Sequence, residues 1–322
     1  MNKSVKITLL ASAVSFGLLF ASCNNSNGNQ HHTSDATEHQ HADTEGVYAC
    51  PMHPEVTGKK GDTCPKCKMD LELVQKDNSR NIDVKLAFTP QTIEAGKPTE
   101  FSVAITENGK NVALDVVHEK KIHMLVVNEE LTWFDHIHPI EQANGTNTVT
   151  ETFPYSGKYI IYTDFKASNS SATVNKQEIE VAGNVAAKPD NTKNKWVSKV
   201  DGYTVTLVNG NDFKTNRPQY MGISIEKNGK FVTGNDIQQY LGAVAHVVVI
   251  GKENKDFLHI HPTSNEKYPI HGETRFEKTG VYRMWVQFQL DGKIHTADFT
   301  VDVTEGTEVI ESQPHDHSGH QH

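Results

Sequence analysis

The sequence predicts an all-β protein: two tandem β-sandwiches behind a small unit rich in cysteine and histidine. Three observations carry this. Apolar and polar residues alternate with period two in Phe101/Val103/Ile105, in 203–208 and in 299–303, the spacing of strands buried on one face. Asn108-Gly109 and Asn228-Gly229 separate such runs and are hairpin turn signals. The whole pattern then occurs twice, with no long amphipathic helical run in either copy.

The repeat is explicit in the residues. His123-Met124-Leu125-Val126-Val127 lies over His246-Val247-Val248-Val249-Ile250, and Phe134-Asp135-His136-Ile137-His138-Pro139 over Phe257-Leu258-His259-Ile260-His261-Pro262. Phe153, Gly157, Tyr159 and Phe165 lie over Phe276, Gly280, Tyr282 and Phe288, every pair 123 residues apart. Phe101-Ser102-Val103-Ala104-Ile105 matches Met221-Gly222-Ile223-Ser224-Ile225 across a loop three residues different. Two copies of this size fit two domains, where a solenoid needs shorter and more numerous units. Gly157–Tyr162 and Gly280–Trp285 read as strands late in each copy. Many short strands in so few residues predict immunoglobulin-like or cupredoxin-like sandwiches over 80–184 and 199–305. The Lys-, Asn-, Asp- and Pro-rich stretch within 185–198 reads as their linker.

The front of the chain addresses a compartment. Residues 1–22 carry Lys3 and Lys6, an apolar run from Ile7 to Phe20, and small residues before Cys23, the build of a secretory signal. Leu19-Phe20-Ala21-Ser22-Cys23 looks like a bacterial lipobox, so Cys23 is expected to become the lipidated first residue of a membrane-tethered chain facing the periplasm or cell surface. The printed net charge of −9 becomes −11 once Lys3 and Lys6 leave with the signal (29 basic against 40 acidic residues). That acidity argues against nucleic acid as a partner.

Three cysteines remain after Cys23, and all lie in one short motif. Tyr48-Ala49-Cys50-Pro51-Met52-His53-Pro54 precedes Cys64-Pro65-Lys66-Cys67-Lys68-Met69-Asp70-Leu71. Cys50 and His53, then Cys64 and Cys67, have the spacing of two knuckles closing on one metal ion. Thiolate and imidazole suit copper or zinc and not magnesium or calcium. The histidines are also uneven. His31, His32, His39 and His41 fall in a polar tether over 23–46, and His315, His317, His320 and His322 in a polar tail over 306–322. Both segments lack the apolar residues for a core and are expected to be disordered, loose metal captors.

The segment over 47–75 resembles the heavy-metal-binding domain found at the front of some copper-exporting pumps and efflux adaptor proteins. Its pattern, Tyr-x-Cys-Pro-Met-His-Pro then Cys-Pro-x-Cys-x-Met-x-Leu, is met with one departure, Lys68 where the family usually has glycine. The resemblance implies copper or another soft heavy metal, Cys50, His53, Cys64 and Cys67 as ligands, and Met52 and Met69 as helpers. The repeats look similar to β-sandwich domains of secreted lipoproteins in metal-resistance settings, which implies no activity for them.

Within the sandwiches a second set of ligands is expected. His136 and His138, one residue apart on a strand, project from the same face. A hairpin turning near 129–131 brings His123 opposite one of them. The repeat gives His246, His259 and His261 the same arrangement. Three neutral imidazoles suit Cu(II) or Zn(II), with Met124 and Met284 as neighbouring thioethers. His118, His271 and His295 have no counterpart in the other copy and rank below these. The alternative is that His-Ile-His-Pro ends a strand for structural reasons.

The function expected is a lipid-anchored binding protein for heavy-metal ions, copper first and zinc as the other fit, that sequesters them or delivers them to an efflux system. It is not expected to be an enzyme. A metalloenzyme with three-histidine copper or zinc sites is the first alternative, but no general base recurs with the triads: Asp135 aligns with Leu258 and Glu141 with Ser264. A surface binding or adhesion module explains the sandwiches and leaves the ligands unexplained. An efflux adaptor subunit would need heptad runs that are absent.

Overall fold

The computed structural model describes residues 47–50, 56–65, 70–74, 80–190, 192–260 and 262–307, and of residues 47, 72–74 and 259 the backbone only. Among the described residues there are strands and no helix. The expected signal and tether, with Cys23, and the tail from residue 308 onward lie outside them.

The small unit is a three-stranded antiparallel sheet of β1 (Val47–Ala49), β2 (Thr57–Gly58) and β3 (Glu72–Val74), with β1 central. Its apolar content is slight. Ala49, Cys50, Cys64 and Leu71 are buried among its described residues, and Tyr48 and Val56 pack against the last three. The loop after β1 closes where Cys50 N–H donates to the Val56 carbonyl at 3.0 Å.

The first sandwich has one sheet of β4 (Ile82–Thr89), β5 (Pro98–Glu107), β6 (Lys110–Asn111), β9 (Ile140–Glu141) and β10 (Asn147–Thr152). The other sheet holds β7 (Ile122–Asn128), β8 (Phe134–Ile137), β11 (Gly157–Lys166) and β12 (Ala172–Val181), in the order β12-β11-β7-β8. The second sandwich repeats this. One sheet has β13 (Val197–Val200), β14 (Tyr203–Leu207), β15 (Pro218–Lys227), β16 (Lys230–Phe231) and β19 (Ile270–Arg275). The other runs β18-β17-β20-β21, with β17 (Ala245–Gly251), β18 (Phe257–Ile260), β20 (Gly280–Leu290) and β21 (Lys293–Val303).

Apart from His123, Asn128 and His246, strands β7 and β17 lack polar residues, and all seven residues of each are buried. Successive side chains on a strand point to opposite faces, so both faces must be covered. Ile122, Met124 and Val126 pack into the core of the first sandwich. Ala245, Val247 and Val249 pack into that of the second. The other faces meet each other: Leu125, Val127, Ile160 and Tyr162 pack against Val248, Ile250 and Trp285 in one shared cluster.

That contact obeys the repeat. Phe134 stacks on Trp285 with ring centroids 4.9 Å apart. Phe257 stacks on Tyr162 at 5.2 Å, the same pair with the copies exchanged. Arg283 anchors the joint: buried, it donates from Nε to the Leu131 carbonyl at 3.0 Å and pairs with Asp298 at 2.8 Å. The linker is tied to the same guanidinium through Asp190, 3.7 Å away.

Candidate metal centre

The β7–β8 hairpin builds the site. Its turn is held by Asn128, whose Oδ1 accepts from the N–H groups of Thr132 at 2.9 Å and Trp133 at 2.8 Å. The register pairs Leu125 with His136 and Met124 with Ile137. Extended by one residue, it sets His123 directly opposite His138 and diagonal to His136, all on the face turned to the second sandwich. Met124, on the opposite face, is fully buried in the core of its own sandwich, and Met284 likewise. The two thioethers expected near the triads therefore point away, because each sits one residue out of phase with the histidine face.

The three imidazoles converge on one point. His123 Nδ1 lies 3.1 Å from His136 Nε2 and 3.2 Å from His138 Nε2, and the latter two are 3.1 Å apart. A point about 1 Å off the plane of this triangle is about 2.0 Å from every corner, the zinc–imidazole bond length. Among the described residues, this is the group of potential ligands whose donor atoms all fall within 4.8 Å of one another.

Neighbours fix the protons on the outer sides of two rings. His123 Nε2 faces the Val117 carbonyl at 3.0 Å. A carbonyl only accepts, so the proton is on Nε2 and the Nδ1 lone pair faces inward. His136 Nδ1 faces Gln287 Oε1 at 3.0 Å. The Gln287 amide is itself oriented, since its Nε2 donates to Thr296 Oγ1 at 3.1 Å. His136 therefore donates from Nδ1 and presents the Nε2 lone pair. Gln287 belongs to β20 of the second sandwich, so the first copy's centre is completed across the contact.

Electrostatics keeps His136 and His138 neutral. Burial, then the neighbouring rings of His138, His123 and His246, hold His136 well below the usual imidazole range. Burial, His123, Lys120 and His246 bring His138 down to about 3. A second proton on either ring would be desolvated and crowded, and a neutral imidazole is the form that can offer a lone pair to a metal ion.

The second copy's triad is reached in part. His246 is buried on β17, with its ring centroid 5.5 Å from His136 and 6.1 Å from His123. The backbone of His259 pairs with Val248 in register with the His136–Leu125 pair. Its side chain and His261 lie outside the described residues, as do His53, Met52, Cys67 and Met69. Cys50 and Cys64 are described, and both are buried in the small unit.

Sequence reasoning missed Gln287 and ranked His118 below the triads. Gln287 carried a signal: it aligns with Asp164, 123 positions earlier, so both copies place a polar residue on the outward face of an otherwise apolar strand. His118 lacked one, because Leu241 takes its place in the other copy. The structure sets its ring 6.3 Å from His123 and 5.7 Å from His246. His295 has a structural part: its Nδ1 meets Asp201 Oδ2 at 2.8 Å and its ring packs on Tyr203 and Phe288.

No curated protein matches the sequence. Among solved structures, fibronectin(III)-like modules of Clostridium thermocellum CbhA align at 14% identity over 73% of this chain and 100% of theirs, TM-score 0.21. FdeC, an Escherichia coli adhesin, aligns at 12% identity over 73% of this chain and 67% of its own, TM-score 0.21. Salmonella alpha-2-macroglobulin aligns at 9% identity over 76% of this chain and 18% of its own, TM-score 0.25. Residues 47–74 match the heavy metal binding domain, and 77–183 and 198–305 each match a domain of unknown function, DUF8832. With both copies covering more than half of its length, the chain belongs to the DUF8832 family and carries a heavy metal binding domain in front of the repeat.

Proposed function

We propose that this protein is a lipid-anchored, extracytoplasmic carrier of heavy-metal ions, copper foremost. In this reading it sequesters the ions or hands them to an efflux system and catalyses nothing itself. Cys23 is the lipidated residue, so the chain faces the periplasm or cell surface. The small unit takes the ion through Cys50, His53, Cys64 and Cys67, and the sandwiches offer a second class of site made of imidazole alone.

One observation carries the reading of the sandwiches: three imidazole nitrogens meet at 3.1–3.2 Å, two of them with the proton fixed on the far side of the ring. The inward lone pairs of His123 Nδ1 and His136 Nε2 repel one another unless a proton of His138 Nε2 or a cation stands between them, and a cation is the reading proposed. Two sites of different softness on one tether suit a carrier, because thiolate favours Cu(I) and imidazole favours Cu(II) or Zn(II). The test is metal content by mass spectrometry after loading with Cu(I), Cu(II) or Zn(II), beside a variant with His123, His136 and His138 changed to alanine. The proposal expects the variant to bind at least one ion fewer per chain. Equal content would show that His123, His136 and His138 hold no ion.

A further inference from the structure

We propose that the contact between the sandwiches holds a second ion beside the triad, bound by His118 of the first sandwich and His246 of the second. The inference rests on the reading of His123, His136 and His138 as a metal centre and extends it to a shared, two-ion site.

His246 is built in the same way as His123. Its Nε2 faces the Tyr240 carbonyl at 3.0 Å, as that of His123 faces the Val117 carbonyl at 3.0 Å, and the two carbonyls are themselves 123 positions apart. A carbonyl acceptor on Nε2 puts the proton there and makes Nδ1 the ligand atom, the orienting arrangement found behind metal-bound histidines. The His246 ring nonetheless stands outside the group of three whose donors fall within 4.8 Å.

His118 supplies the partner. It sits at the tip of a two-residue turn closed by Val117 and Lys120, matched in the second copy by the turn between Tyr240 and Ala243. Both turns have two left-handed residues, φ 49° and 63° at His118 and Glu119, 52° and 71° at Leu241 and Gly242. Such pairs define the tight hairpin turn, so the backbone geometry belongs to the turn itself. The side chain is what differs. Where the second copy has leucine, the first has an imidazole, and it reaches across to the other sandwich. The His118 and His246 rings stand at 88° with centroids 5.7 Å apart. Two imidazoles on one zinc- or copper-sized ion place their centroids roughly 5 to 6.4 Å apart, depending on the angle at the metal. The ligand class is an ion that prefers imidazole, Cu(II), Cu(I) or Zn(II), and not a hard cation. One such ion at the contact needs one His118, which accounts for its occurrence in a single copy.

The experiment uses the full chain loaded with Cu(II). His118→Leu installs the residue that the second copy carries at this turn, and His246→Gln is an independent variant of similar size. Ions per chain are counted by mass spectrometry, and the copper–copper interaction is read from the half-field electron paramagnetic resonance signal. The proposal expects each variant to lose one ion per chain and the half-field signal, with the triad's ion kept. If His118→Leu keeps full content and signal while the His123/His136/His138 variant loses an ion, the second ion is refuted and the carrier reading stands. If neither loses an ion, both fall. If the ion lost with His118→Leu is the triad's own, the site is mononuclear and the proposal is overturned.

Discussion

Gln287 is where the account makes its sharpest demand, because this residue belongs to one sandwich and orients a ligand of the other. Its Oε1 accepts from His136 Nδ1 at 3.0 Å, and its Nε2 donates to Thr296 Oγ1 at 3.1 Å. Gln287→Leu keeps the volume in a buried position and removes the acceptor. The His136 ring is then free to flip or change tautomer, and its Nε2 lone pair is no longer fixed on the site. Losing such an outer partner costs about 10- to 100-fold in metal affinity, or about 1.4–2.7 kcal/mol. The loss in apo stability should stay near 1 kcal/mol, the worth of one ordinary hydrogen bond. Competition for Zn(II) against a chromogenic chelator measures the first, and urea unfolding of the metal-free protein measures the second. Cys50, Cys64 and Cys67 are replaced by serine throughout, so the small unit does not contribute. An affinity within twofold of the parent, with the fold intact, would refute the claim that the second sandwich completes the first copy's centre.

Other outcomes follow from the same geometry. Glu151 is buried, and burial, with the nearby Asp135 carboxylate, pushes it up to about 7. A carboxyl raised in the folded state adds stability that is whole below pH 4.5 and is lost as pH rises through about 7, so the parent should lose up to about 3 kcal/mol relative to Glu151→Gln between pH 5 and 8; parallel urea curves across that range would sink this. Arg283→Ala leaves the Leu131 carbonyl without this donor, while Asp298 keeps Lys195 at 2.6 Å, which should cost about 1–3 kcal/mol in denaturant unfolding. Trp285→Ala removes the ring stacked on Phe134 and should cost about 3–5 kcal/mol, read the same way. Zn(II) at a hundred times the dissociation constant of the triad should stabilise the parent by about 2.7 kcal/mol through that site, and the His123/His136/His138 variant should be stabilised by correspondingly less in scanning calorimetry, again with the three cysteines replaced.

Much of this architecture can be read from the residues. Period-two alternation in β5, β14 and β21 and the Asn-Gly turns announce the strands, and the constant 123-residue offset announces the duplication. The hairpin turn brings His123 opposite His136 or His138, and the observed register selects His138, because register is fixed only once the turn is fixed to the residue. What escapes is the second face of β7 and β17. An unbroken apolar run says that both faces are covered and is silent on what covers them. The outward aromatics hold the clue: Phe134 and Phe257, Tyr162 and Trp285 recur at matched positions on faces that a lone sandwich would expose. Read as separate domains, the repeats give two distant triads. Packed face to face, they bring His246 beside the first triad and beside His118, a consequence of tertiary contact that no local pattern encodes.

The most direct measurement is an anomalous difference map from crystals grown with Zn(II). The account predicts a peak about 2 Å from His123 Nδ1, His136 Nε2 and His138 Nε2. Zinc density confined to the small unit, with none among those three nitrogens, would contradict it.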